Sequence, residues 1–339
     1  MMKFKRVVAG HRGGPEVLQL VEEDLPEPPP GEMRVKVLTA GVLLADILWQ
    51  TGKVPGSPKP PFTPGYDVVG VVDKLSEGVS TPEVGQTVAA MIQYGGYTEY
   101  VCVPAEKLVP VPDGLDPAEI VCLTVNYTTA YQIFKRVTKV TSGKRALIHG
   151  AAGGTGSAML ELGRLMDLEM YGTASEPKHD LVSGLGAIPI DYRNEDFVER
   201  IFSLTGDGVD VVVDPIGGSN PKRSFKTLRP GGFLVVTAFF SQIKEGISTM
   251  GTILGMLRIP IWNMLPNRKS ASWFDVVSFN KKNPTYYAED LKVLMDYLAE
   301  GKIKPVIADR MPLVEARKAQ ELLLDFKMQG KIVLVCSEP

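Results

Sequence analysis

The sequence predicts an α/β protein in which a doubly wound parallel sheet is joined to a β-rich antiparallel domain. Three observations carry this. The chain has 339 residues, more than one hydrophobic core ordinarily organises, so two domains are expected. Its first 120 residues consist of short β-branched stretches set off by Gly and Pro, among them Pro28-Pro29-Pro30-Gly31 and Pro60-Pro61. From about Pro117 the texture changes, and apolar strands alternate with helical patterns, the rhythm of a parallel sheet covered by helices.

In the first part, strands are expected at Lys5–Val8, Val35–Leu38, Val68–Val72, Thr87–Met91 and Tyr97–Val103. Their close spacing without long helices suits a barrel or sandwich. Residues 117–137 read as helical. Strands follow at Arg145–Gly150, Glu169–Ala174, Ala187–Asp191, Val209–Asp214 and Gly232–Thr237, with helices from Gly156 to about Met166 and from Lys178, and a sixth strand is read at Phe274–Phe279. The tail gives a helix at Glu289–Leu298, an extended stretch at Ile303–Met311, a helix at Val314–Lys327 and a last strand at Lys331–Val335. Residues 241–271 interrupt the rhythm. They are rich in Met, Ile and Leu, including Met250, Ile253, Leu254, Met256, Leu257, Ile261 and Met264. A helix packed on the core or at a subunit interface is the favoured reading. A substrate lid or a membrane-surface segment is the lesser one, and the polar face, not strongly basic, counts against membrane binding.

Composition narrows the function. Hydrophobic residues make up 44% and charged residues 22% of the chain, a soluble globular balance. A net charge of −2 gives no reason to expect a nucleic-acid partner. The three cysteines, Cys102, Cys122 and Cys336, are scattered without CxxC spacing, which argues against both a disulfide framework and a cysteine-built zinc site. The opening residues lack the apolar core of a signal peptide, and no apolar run reaches the length of a membrane span. A cytoplasmic location is therefore the expectation.

The sharpest local signal is Arg145-Ala146-Leu147-Ile148-His149-Gly150-Ala151-Ala152-Gly153-Gly154-Thr155-Gly156. An apolar strand enters a Gly-rich turn that opens a helix, the context in which such a turn cradles a dinucleotide pyrophosphate. A side chain on Gly153 would keep phosphate from the backbone N–H groups at the helix N-terminus. Gly156 lets helix and strand pack closely, and Ala151 stands in the place of the first glycine. The end of the following strand selects the dinucleotide. Tyr171-Gly172-Thr173 ends in Ala174, followed by Ser175-Glu176-Pro177-Lys178. A small residue, a hydroxyl and a cation suit a 2′-phosphate and hence NADPH. The competing reading is that Glu176 binds ribose hydroxyls and selects NAD; here it is placed beyond the strand and toward solvent. Tyr192, after the next strand, offers a phenolic hydroxyl, or simply packs at the edge.

Further blocks carry a resemblance. Pro64–Val72, Val125-Asn126-Tyr127-Thr128-Thr129-Ala130-Tyr131, Ala151–Gly156, Gly172–Ser175 with Lys178, and Gly330–Leu334 occur in the order of the quinone oxidoreductases. The chain thus resembles the zinc-free quinone oxidoreductase family of the medium-chain dehydrogenase/reductase superfamily. Lys178-His179, Ile190-Asp191-Tyr192 and Pro215-Ile216-Gly217-Gly218 are most similar to the branch of the vesicle amine transport protein. The resemblance implies a GroES-like substrate domain of residues 1–123 and 284–339, with a Rossmann-type NADPH domain of residues 124–283 inserted, and a homodimer. By position it places Thr129 beside the nicotinamide, Gly153, Gly154, Thr155 and Gly156 at the pyrophosphate, and Ser175, Lys178 and Tyr192 at the 2′-phosphate. Phe279 and Lys331 would line the nicotinamide end.

The zinc-dependent cousins carry a Cys early in the chain and a Gly-His-Glu motif. The corresponding stretches here read Ala40-Gly41-Val42 and Tyr66-Asp67, so no metal is expected. The chain also departs from the zinc-free pattern: Leu43 replaces a common Asn, and the Tyr usual shortly after is missing, since Gly52 is followed by Lys53-Val54-Pro55. Asp46 and Tyr66 remain as polar catalytic candidates, each equally readable as structural. An apolar pocket without a strong acid suits quinones or α,β-unsaturated carbonyls, whose reduced anion is delocalised, better than an unactivated ketone. The rival reading is an NADPH-binding regulatory or membrane-associated protein with little turnover. An enoyl reductase acting on acyl thioesters would want a basic patch near the cleft, and none is evident.

Overall fold

The computed structural model describes residues 2–54, 56–238 and 257–337. The chain divides into two compact units, Met1–Asn126 with Leu291–Pro339, and Tyr127–Asp290. Both divisions fall inside helical segments, which is why a change of texture along the sequence does not mark them to the residue.

In the first unit, β1 (Lys3–Ala9) pairs antiparallel with β2 (Leu18–Asp24). The larger sheet is built on β3 (Glu32–Val42), which pairs antiparallel with β4 (Asp67–Leu75) and β6 (Tyr100–Pro104). β5 (Thr87–Met91) and β7 (Val109–Pro110) extend it past β4, and the C-terminal strands β14 (Ile307–Pro312) and β15 (Lys331–Val335) extend it past β3. Ile332 lies opposite Val42 and Leu334 opposite Ala40. Both ends of the chain thus share one core, in which Met33, Val35, Val37 and Val68 pack with Ile332 and Leu334. The helix α1 (Leu44–Thr51) starts where the Leu43 N–H donates to the Asp46 carboxylate at 2.8 Å, and it ends at Gly52 with φ +70°. The helix α2 (Pro117–Cys122) has Pro117 in its first turn, and Asp116 caps its Ala118 N–H.

The run expected as one helix over 117–137 is α2, a wide π turn at Leu123–Tyr127, α3 (Thr128–Tyr131) and a second π turn at Gln132–Val137. Such turns are frequent at functional sites.

The second unit is a six-stranded parallel sheet in the order β10 (Ala187–Asp191), β9 (Glu169–Ala174), β8 (Arg145–His149), β11 (Val209–Asp214), β12 (Leu228–Val236), β13 (Ser270–Trp273). The chain winds outward from β8 in one direction, then returns to β11 and winds in the other. A crevice at that reversal, at the carboxyl ends of the strands, is where ligands bind in such sheets. The connecting helices are α4 (Gly154–Leu165), α5 (His179–Gly184), α6 (Phe197–Thr205) and α7 (Asn220–Lys226), with α8 (Val276–Lys282) and α9 (Tyr286–Ala299) after β13. The core of this unit joins Leu147, Tyr171, Ile190, Val212 and Leu234.

One sequence expectation is corrected. The sixth strand is Ser270–Trp273, not Phe274–Phe279, and Val276–Lys282 is helical. Despite the β-branched pair Val276-Val277, the Asp275 side chain accepts from the Ser278 N–H and starts a helix there. Of the apolar segment 241–271, Met250, Ile253, Leu254 and Met256 lie outside the described residues. Residues 257–263 are helical. Ile259 is buried and the Trp262 ring stacks on Phe225 at 5.0 Å, while Leu257, Ile261, Met264 and Leu265 are exposed.

Candidate dinucleotide site

The Gly-rich loop closes the C-terminal end of β8. Gly150 turns it with φ +66°, and its carbonyl accepts from the Gly153 N–H at 3.0 Å. A Cβ on Gly156 would lie 2.2 Å from that carbonyl oxygen and 2.7 Å from Ala151 Cα, so only glycine lets α4 approach the loop. A Cβ on Gly153 would meet nothing nearer than the Gly150 oxygen at 3.4 Å. Gly153 is the N-cap of α4 and contributes no side-chain cap, so it puts no competing acceptor over the helix N-terminus, where an anion is favoured. These features fit a pyrophosphate. Ala151 is accommodated by its neighbour: a Cβ on Gly172 would come within 2.7 Å of Ala151 Cβ. The glycine that the loop lacks is supplied by β9.

The end of β9 carries the discriminating residues. Ala174 and Ser175 are buried, Glu176 is exposed, and Lys178 is half-buried in the short helical turn that follows. Asp191 at the end of β10 lies opposite Ala174, which brings Tyr192 beside this turn. Tyr192 is half exposed, and the Arg193 guanidinium sits 5.9 Å from its ring centroid. Sequence reading did not single out Arg193, because its place at the sheet edge emerges only from the β9–β10 pairing. Gly153, Gly154, Thr155, Gly156, Ser175, Lys178 and Tyr192 are therefore gathered at the carboxyl edge of one parallel sheet.

Thr129 lies on α3, buried within the helical run. Phe279 lies on α8, with its ring 5.3 Å from Phe274 and 6.0 Å from Tyr286. The same unit contains a polar cluster that the sequence did not announce: His149, Thr173, Asp214 and Ser224, all buried at the carboxyl ends of β8, β9 and β11 or on α7.

Lys331 belongs to the first unit. Its ammonium donates to Asp67 Oδ2 at 2.5 Å and to the Val121 carbonyl at 2.9 Å. Asp67 also accepts from Thr124 Oγ1 at 2.6 Å and from the Gly41 N–H at 3.1 Å. A Cβ on Gly41 would fall 2.2 Å from Lys331 Cε, so the glycine makes room for the pair. The ammonium predicted to line the nicotinamide end is thus committed to a carboxylate inside its own unit. Asp46, the first catalytic candidate, is also buried. Its Oδ2 accepts from Leu43 N–H and from the Tyr97 hydroxyl at 2.9 Å, and its Oδ1 is buried with no hydrogen-bond partner. Burial pushes this carboxyl up to about 7, against the two hydrogen bonds that favour its charge. Tyr66 is buried too, edge-on to Trp49 at 6.1 Å.

Among the described residues no group of three or more His, Cys, Asp or Glu side chains is placed to hold a metal ion. Burial pushes the thiols of Cys122 and Cys336 up to about 12.

Residues 29–113 match the family described as alcohol dehydrogenase GroES-like domain, and residues 185–334 match that described as zinc-binding dehydrogenase. The human synaptic vesicle membrane protein VAT-1 homolog is 30% identical over 317 residues, which span 91% of this chain and 80% of that protein. The crystal structure of Escherichia coli quinone oxidoreductase complexed with NADPH is similar with a TM-score of 0.88 and 26% identity, over 98% of this chain and 100% of that one. A probable oxidoreductase from Mycobacterium abscessus is similar with a TM-score of 0.83 and 30% identity, over 99% of each chain.

Proposed function

Because the chain belongs to the VAT-1 and quinone oxidoreductase branch of the medium-chain dehydrogenase/reductase superfamily, we propose that it reduces quinones or α,β-unsaturated carbonyls with NADPH and without zinc. The observation that carries the reading is the carboxyl edge of the parallel sheet. A glycine-rich loop there, with no side chain at Gly153 or Gly154, adjoins a strand end with a buried serine, a lysine and an outward glutamate.

When bound, NADPH supplies the hydride that a conjugated carbonyl or quinone accepts. The chain's own part is to bind and orient. The α4 N-terminus and Gly153–Gly156 would hold the pyrophosphate, and Ser175, Lys178 and Tyr192 the 2′-phosphate, with Thr129 and Phe279 toward the nicotinamide. Leu43 stands where the family commonly carries an Asn, which favours an apolar substrate. Neither Asp46 nor Tyr66 is exposed enough to act as a proton donor to substrate, so water serves, which a delocalised anion tolerates. The zinc-free part of the reading is supported by the donor set: Ala40-Gly41-Val42 and Tyr66-Asp67 offer no ligand cluster, and Asp67 is already paired with Lys331. A cytoplasmic location and a homodimer complete the proposal. Stopped-flow NADPH oxidation across a panel of quinones and enones tests it; inertness toward every member would overturn it.

A second reading has one observation in its favour. Leu257, Ile261, Met264 and Leu265 form an exposed apolar strip, which suits an NADPH-binding protein that attaches to a surface and turns over little. No described helix is long and apolar enough to cross a membrane. Liposome co-sedimentation of the chain and of its Ile261→Ser/Met264→Ser variant separates the two readings.

A further inference from the structure

We infer that His149 is a positioning residue for the dinucleotide loop, acting through one directed chain of hydrogen bonds that runs from Asp214 to Gly150. The inference rests on the dinucleotide reading above and adds to it the group that holds the loop in its binding shape.

The direction of the chain follows from which groups can donate. The Asp214 carboxylate accepts from the Ile216 N–H at 2.8 Å, the Gly217 N–H at 3.3 Å, Asn220 Nδ2 at 2.9 Å and Ser224 Oγ at 2.7 Å. The Ser224 hydroxyl proton is therefore directed at Asp214, and its oxygen accepts from His149 Nε2, 3.0 Å away. Burial holds the imidazole pKa below its ordinary value, opposed by the Asp214 charge and assisted by that of Arg223. A neutral ring that donates from Nε2 must accept at Nδ1, and Thr173 Oγ1 stands 3.0 Å from it. With its proton on the ring, Thr173 Oγ1 accepts the Gly150 N–H at 3.3 Å.

Gly150 is the pivot of the loop. Its carbonyl accepts from the Gly153 N–H and lies where a Gly156 side chain would fall, so fixing its peptide fixes the register of the whole turn. The Phe197 ring, edge-on at 4.7 Å, confines the imidazole from the side. The chain also ties the loop after β8 to the Pro215–Ser219 turn after β11, on the two sides of the point where strand order reverses.

The test is a fluorescence titration of NADPH into the wild type, Thr173→Val, Ser224→Ala and the double variant, with thermal melts and ring ¹⁵N spectra of histidine-labelled protein. The expected result is a loss of about fivefold or more in NADPH affinity in each single variant. The double variant should lose no more than the weaker single variant, because a chain broken once is already broken. The wild-type spectrum should show His149 neutral with its proton on Nε2. Unchanged NADPH affinity in both single variants overturns the inference, even where melting temperatures fall, and so do losses that simply add. A charged ring or an Nδ1–H tautomer at neutral pH overturns it without recourse to any variant. Failure of the wild type to bind NADPH overturns instead the dinucleotide reading on which the inference stands.

Discussion

The Lys331 ammonium and the Asp67 carboxylate meet at 2.5 Å inside the first unit although 264 residues separate them in sequence. Both side chains are almost wholly buried. Breaking such a pair leaves one charge uncompensated in a poorly solvated interior and costs about 3–5 kcal/mol. Lys331→Met is therefore expected to destabilise by that order. Asp67→Asn/Lys331→Met should recover part of the loss, because no bare charge remains. Urea unfolding of the three proteins checks this. A Lys331→Met protein as stable as the parent would mean that the pair is not held in solution as it is here.

This pair also marks what the sequence could and could not say. Strands β5, β9, β10, β11 and β15 were legible to the residue, because their β-branched and apolar runs are bounded by turn residues. The strand β2 was not, since most of Leu18–Asp24 is exposed and its end is acidic. The Gly-rich loop was legible because its chemistry is local: strand, turn and helix follow one another within a dozen residues or so. Asp67 lies 264 residues from Lys331 and Ser224 lies 75 residues from His149, and no periodicity or spacing announces such a meeting. By resemblance Lys331 reads as a cofactor contact, while its geometry ties it to Asp67.

The Asp46 carboxyl gives a pH-dependent prediction with a definite sign. Its folded pKa, about 7, lies above the value of an unfolded aspartate, so the folded chain binds this proton more tightly. The stability it contributes is present below about pH 4 and is lost as pH rises through about 7. Asp46→Asn stays uncharged and can still accept from Leu43 N–H and the Tyr97 hydroxyl. The variant should therefore be the more stable protein at pH 8, by roughly 2–4 kcal/mol, with the advantage shrinking as pH falls and gone only near pH 4. Melting temperatures of both proteins across that range check the slope. A parent that gains stability relative to the variant on going from pH 5 to 8 would show that Asp46 is held as a carboxylate.

Two glycines on α4 should respond oppositely to alanine. At Gly156 the new Cβ would meet the Gly150 carbonyl oxygen at 2.2 Å and Ala151 Cα at 2.7 Å, both backbone atoms that cannot turn aside. At Gly163 the nearest atoms belong to the Met170 side chain, with Sδ at 2.2 Å, and a thioether can change rotamer. Gly163→Ala should fold with a stability change within about 1 kcal/mol, the helix preference of alanine offsetting the repacking. Gly156→Ala should displace the loop and abolish NADPH binding. Thermal melts paired with NADPH titration distinguish the two; equal behaviour would mean that the Gly156 contact relaxes freely.

The cofactor preference rests on Lys178 against Glu176, and their exposure gives the direction. Glu176 is exposed beyond the end of β9, whereas Lys178 is half-buried in the turn that Ser175 begins. A charge-assisted contact to a 2′-phosphate is worth about 1.5–3 kcal/mol, so Lys178→Ala should weaken NADPH binding by about tenfold or more. Its effect on NADH, which lacks that phosphate, should be small. Titration of both nucleotides into both proteins, followed by fluorescence, checks the prediction. Preference for NADH in the wild type would shift selection to Glu176, and Glu176→Ala would then be the variant that loses affinity.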